Sequence, residues 1–155
     1  MVSIDDDRFT MDSIVHWGTI YYMKLTKVNY SDLNSKAKEM YNFHKVSAKL
    51  ADYGYTCMWL NNDWQGADFI AVHVDGVTDL KVQLKGRLSF AKKYIGKEIY
   101  ISFIDKNNDI YLYPHDEMLN IIVKKESDKT WIDKDIWSSP SLTKANGKLL
   151  ESYKL

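Results

Sequence analysis

Apolar positions along the chain change period several times, and those changes predict its elements. Between Ser31 and Tyr53, Met40, Phe43, Val46, Ser47 and Leu50 follow spacings of three and four. That spacing places them on one face of an α-helix. Ser31 or Asp32 suits its N-cap, and Gly54 suits its end because glycine accepts positive φ. Tyr55–Leu60 is predicted as a short strand and 61–66 as a polar loop. Phe69–Val74 and Leu80–Lys85 are the next strands, with Asp75-Gly76 as the turn signal between them. Glu98–Ile104 is a fourth strand, rich in β-branched and aromatic residues. Lys106-Asn107-Asn108-Asp109 turns the chain into a fifth, Ile110–Tyr113. Pro114 fits the first turn of a helix running to about Val123, with Asp116 and Glu117 at its positive end. The tail is predicted to hold a strand at Thr130–Trp137, a Ser-Ser-Pro turn and a closing helix over 142–153.

Helix, several strands, then helix predicts an α+β or α/β fold, with a mixed four- to five-stranded sheet flanked by helices. The length of 155 residues suits one domain with a core. Residues 1–30 begin acidic (Asp5, Asp6, Asp7) and continue through a mixed apolar and aromatic run from Ile14 to Tyr22. They are expected to form an N-terminal appendage to a single domain over 31–155, with a C-terminal extension from about 124. Met23 offers an alternative start to the chain.

Hydrophobic residues make up 45% and aromatic residues 14%, which excludes a disordered composition. Lys+Arg and Asp+Glu number 21 each, so only the distribution of charge can speak for nucleic acid. A single cysteine, Cys57, excludes an internal disulfide and multi-cysteine zinc sites, and fits a reducing cytoplasm. No apolar run approaches the roughly 20 residues of a membrane span. The acidic start does not match a signal peptide, so a cytoplasmic location away from membranes is expected.

The chemistry concentrates between Ala67 and Arg87. Asp68 opens one strand, while Gln83 and Lys85 close the next with one residue between them. Alternate strand residues project to one face, so Gln83 and Lys85 point together and pairing brings Asp68 close to both. Mg²⁺ is held by carboxylate and other oxygens with waters and substrate phosphate, and a nearby lysine can orient the attacking water. Asp68 is the candidate ligand, Gln83 a weaker neutral one through its amide oxygen, and Lys85 the positioning cation. The same three residues also fit a capped strand start followed by a solvated strand face. From Lys81 to Lys97 there are six basic residues, Lys81, Lys85, Arg87, Lys92, Lys93 and Lys97, and no acid. Phe90 and Tyr94 within this run suit stacking on bases or sugars, and the basic stretch is what a phosphate backbone requires. His115-Asp116-Glu117 reads as a helix start, because adjacent helical residues diverge by about 100° and do not share an ion.

Asp68 with Gln83-Leu84-Lys85, separated by 14 residues and preceded by a helix ending in Tyr53-Gly54-Tyr55, resembles the PD-(D/E)XK nuclease superfamily. Phrases such as Asp-Trp-Gln-Gly-Ala-Asp-Phe, Gln-Leu-Lys-Gly-Arg and Tyr-Leu-Tyr-Pro-His-Asp-Glu, between about residues 39 and 119, are similar to those of a group of small bacterial proteins of this type. The resemblance implies a restriction-endonuclease-like core of helix, three strands, helix and strand. It implies Mg²⁺ or Mn²⁺ as cofactor, DNA as partner and a catalytic set of Asp68, Gln83 and Lys85, and it allows a homodimer. Gln83 stands where that family normally has a second acid. A glutamate on the first helix often completes such sites, which makes Glu39 the candidate third metal ligand; His44 lies nearby. Lys81, Arg87, Lys92, Lys93 and Lys97 become candidate DNA contacts. Three readings follow: a metal-dependent DNA nuclease, a degenerate nucleic-acid-binding module on the same fold, and a protein-partner module with no nucleic-acid role.

Overall fold

A computed structural model of the protein describes residues 13–16, 19–22 and 24–155, and side-chain surroundings from 24 onward except at Asp63 and Trp64. Asp5–Asp7 and Met23 lie outside the described residues. The chain divides into two units, Met1–Leu33 and Asn34–Leu155. In the first, β1 (Ser13–His16) pairs antiparallel with β2 (Thr19–Tyr22), and a single 3-10 turn covers Tyr30–Asp32.

The second unit is a mixed five-stranded sheet with helices on its faces. Its order is β3 (Tyr55–Trp64), β4 (Ala67–His73), β5 (Asp79–Lys85), β7 (Ile99–Ile104), β8 (Ile110–Pro114). The first three strands form an antiparallel meander, β7 lies parallel to β5, and β8 returns antiparallel. A parallel step needs a crossover. Here residues 86–98 supply it with only a short strand, β6 (Ser89–Ala91), and a 3-10 turn at Lys92–Tyr94. The helix expected between the third and fourth core strands is therefore absent, and α2 (His115–Ile122) follows β8 instead.

The first helix, α1 (Ser35–Ala51), starts later than Ser31. Asn34 is its cap, accepting the Ala37 N–H at 2.9 Å, and Asn caps as well as Ser or Asp. Ser31 and Asp32 are spent in the preceding 3-10 turn. Phe43, Val46 and Leu50 of α1 bury against Phe69, Ala71, Val82 and Leu84 of the sheet. Each such valine, leucine or phenylalanine contributes about 1.5–3 kcal/mol.

The alternate residues of the strands face the other way. There Ile99, Ile101, Phe103, Tyr111 and Tyr113 join Leu88, Phe90, Tyr94, Met118, Leu119, Trp131 and Leu150 in a second core. The expected strand at Thr130–Trp137 is instead a helix, α3 (Lys129–Lys134), followed by β9 (Ile136–Ser138), which pairs with β6. Asp128 caps α3 by accepting the Trp131 N–H at 2.9 Å, and Asp135 ends it at φ 59°. The closing helix is shorter than expected: α4 (Lys144–Leu149), then a 3-10 turn at Glu151–Tyr153.

Candidate functional site

Local irregularity at the hairpin β3–β4 sets Asp68 apart. The strand does not stop at Leu60 but runs through the polar residues to Trp64, and Gln65 and Gly66 turn it at φ 58° and 93°. Positive φ at both positions is the signature of a tight hairpin turn. Trp59 pairs with Phe69 and Trp64 with Ala67, so the β3 residues between them bulge opposite Asp68 alone. On the other side the β4–β5 ladder ends at Phe69 and Val82. Asp68 thus falls outside both ladders, as residues beside functional sites often do.

Its carboxylate takes over where the ladder stops. Asp68 Oδ2 accepts the Leu84 backbone N–H at 2.7 Å and also a short hydrogen bond from Gln83 Nε2. Gln83 Nε2 makes a second contact to the Leu84 carbonyl at 3.2 Å. At the other end of the same amide, Tyr94 donates its hydroxyl to Gln83 Oε1 at 2.9 Å, and Lys85 Nζ donates to the Tyr94 hydroxyl at 3.0 Å. The amide orientation follows from the partners: a carboxylate only accepts, so the NH₂ faces Asp68 and the carbonyl faces Tyr94.

Asp68, Gln83 and Lys85 therefore converge in one hydrogen-bonded chain, and its link is Tyr94. Tyr94 was expected to stack on bases together with Phe90, but both are only 1% exposed. The Tyr94 ring belongs to the second core and meets His115 edge-on at 5.6 Å. Its role was hidden because the 3-10 turn carrying it is fixed by contacts distant in sequence.

Glu39 and His44 belong to α1, which covers the face carrying Val82 and Leu84. Gln83 and Lys85 alternate with those residues and project from the other face. Glu39 instead pairs with Lys36 at 2.8 Å. The basic run is split in use. Lys81 pairs with Glu98 at 3.5 Å and Lys92 with Asp135 at 2.5 Å. Arg87, Lys93 and Lys97 make no ion pair among the described residues, and Lys93 lies 4.9 Å from the Tyr94 ring centre.

His115 is buried, accepting the Ala91 N–H on Nε2 at 3.2 Å and donating from Nδ1 to Asp116 at 2.7 Å. Asp116 in turn accepts the Gly96 N–H at 2.8 Å. This pair anchors the crossover to α2.

Among the described side chains, the donor set as hydrogen-bonded here does not fit a catalytic Mg²⁺. Such an ion takes oxygen ligands, usually with one or two carboxylates. Asp68 supplies one carboxylate, already accepting two N–H groups. Gln83 offers that neighbour nitrogen rather than oxygen, and the Leu84 carbonyl accepts from the same amide. Among the described residues no three His, Cys, Asp or Glu side chains cluster to hold a metal.

No protein-family model matches the chain, and no curated protein matches it. Among solved structures it is similar to Hjc, a Holliday junction resolvase from the archaeal hyperthermophile Archaeoglobus fulgidus. The identity is 13%, the match covers 46% of this chain and 74% of that chain, and the TM-score is 0.37. Among the described residues no helix is long and apolar enough to cross a membrane.

Proposed function

We propose that this chain is a nucleic-acid-binding module on a nuclease-like fold, and that its Asp68–Gln83–Lys85 site does not support Mg²⁺-dependent cleavage. One observation carries this reading: the Gln83 NH₂ donates to Asp68 where a second acid would face a metal. The binding half draws on Arg87, Lys93 and Lys97, cations near the site without an ion-pair partner among the described residues. Cations left unpaired are what a phosphate backbone needs. The test is fluorescence anisotropy with labelled single-stranded, duplex and branched DNA over a salt series, followed by incubation of the same DNA with Mg²⁺ or Mn²⁺. Binding that weakens with salt, without cleavage, is expected. No binding at low salt overturns the first half of the proposal.

A second reading, metal-dependent phosphodiester cleavage, draws on the convergence of Asp68, Gln83 and Lys85 through Tyr94. Cleavage that disappears in both Asp68→Ala and Lys85→Ala establishes it and removes the degenerate site.

A further inference from the structure

The structure carries a second polar feature one residue beyond the site. Gly86 and Arg87 follow Lys85 directly and open a cavity of about 440 Å³, within the range of small-ligand sites. Its walls are the start of the crossover, the β7–β8 turn and the segment 140–147. Leu88 and Leu142 line its apolar part, while Arg87, Lys106 and Lys144 bring three cations to it.

Those cations are exposed and make no ion pair among the described residues. Among the described residues the one acid lining the cavity, Asp105, is already committed. Its Oδ1 accepts the Asn107 and Asp109 backbone N–H groups at 2.8 and 2.9 Å, which hold the β7–β8 turn. Three cations against one carboxylate leave a positive cavity with an apolar floor. Phosphate on an organic body satisfies both parts: oxygens for the cations, a sugar or base edge for the leucines.

We infer that this cavity binds a nucleotide phosphate, and, resting on the reading above, that it seats one nucleotide of a bound strand beyond Lys85. A polynucleotide and a free phosphorylated ligand share this chemistry, so the experiment separates them. The probes are a labelled single-stranded DNA, a 5′-phosphorylated thymidine dinucleotide and inorganic phosphate. The variants are Lys106→Ala/Lys144→Ala and, as a control of equal charge on α1, Lys45→Ala/Lys49→Ala. Lys106, Lys144 and Lys45 are exposed and Lys49, paired with Asp52, is partly exposed; a circular dichroism spectrum checks the fold.

The cavity variant should flatten the slope of log affinity against log salt by roughly 1.4, at about 0.7 for each lost single-strand contact, while the control leaves it unchanged. Titration with the dinucleotide should shift the amide resonances of Gly86, Asn107 and Gly147. DNA binding with an unchanged slope and no shifts at these amides overturns this inference and leaves the module's binding function standing. Shifts with the dinucleotide and inorganic phosphate but no DNA binding uphold the phosphate cavity, assign it a free ligand and overturn the nucleic-acid reading.

Discussion

The backbone of Gly66 lies against the ring of Tyr94: a Cβ built on Gly66 meets Tyr94 Cε1 at 2.8 Å and Cδ1 at 2.9 Å. The tip of the β3–β4 hairpin is thereby seated on the residue that links Gln83 to Lys85. Two constraints coincide at this glycine, a φ of 93° and the absence of room for a side chain.

Gly66→Ala should therefore cost stability twice over, through a backbone conformation alanine resists and through displacement of a buried ring. The expected loss is about 1–3 kcal/mol by urea unfolding. Because the ring carries the hydroxyl, the substitution should also perturb Gln83 and Lys85, visible as shifts of their side-chain resonances. Unfolding curves that overlay those of the native protein would show that the contact carries no load.

Gln83→Glu tests the donor set directly. It removes the N–H donated to Asp68 and sets two carboxylates face to face. Without metal the variant should lose about 1–3 kcal/mol, since a half-buried acceptor loses its donor and like charges meet. A divalent cation bound between them favours the folded state by mass action. The melting temperature of Gln83→Glu should rise on adding Mg²⁺ while that of the native protein stays put. A Mg²⁺-dependent rise in the native protein that is lost in Asp68→Ala means the native site holds metal and refutes the donor-set argument.

These relationships mark the boundary of what the residues disclose by themselves. The β4–β5 hairpin was legible because strand alternation and the Asp75-Gly76 turn are local, and Asp75 indeed accepts the Val77 and Thr78 N–H groups at 2.9 and 2.8 Å. The meeting of Asp68 with Gln83 follows from that hairpin. The extension of β3 through Asn61, Asn62 and Asp63 was not legible: these are poor strand formers, and they lie in the bulge between the Trp59–Phe69 and Trp64–Ala67 pairs. The crossover was missed for a similar reason. β6 exists because β9, nearly fifty residues on, pairs with it, and no local pattern announces such a partner. Tyr94 reached the site by that same long-range packing, while Glu39 was placed by analogy of spacing and the helix proved to cover the other face.

Ser102 is wholly buried on β7, in register between Leu84 of β5 and Leu112 of β8. Its hydroxyl has no hydrogen-bond partner among the described residues. An unpaired buried hydroxyl costs free energy, so removing it should help rather than harm. Ser102→Ala is expected to be neutral or stabilising by up to about 1 kcal/mol in urea unfolding. A loss larger than that would mean the hydroxyl is hydrogen-bonded in solution.

The anchor between crossover and α2 gives the fold a pH dependence of definite sign. Neutral His115 is the form that fits, since Nε2 must accept the Ala91 N–H. Burial pushes its pKa below the ordinary 6.5, with Lys125 adding to the shift and Asp116 opposing it. The unfolded chain therefore takes up a proton first as pH falls below 6.5, and stability drops from there toward the lower folded value. For Asp116, burial raises the pKa, but the Gly96 N–H and His115 outweigh it and hold it below 3.8. Its contribution is present above 3.8 and fades only as the pH falls further. Acid should thus weaken the fold in two successive windows, the first belonging to His115. His115→Gln keeps an oxygen able to accept the Ala91 N–H while removing the titration. Its unfolding free energy should be lower than native at neutral pH and flatter below pH 6.5. A native protein whose stability is constant from neutrality down through that window, or a variant that keeps the native slope, would assign the acid response to other groups.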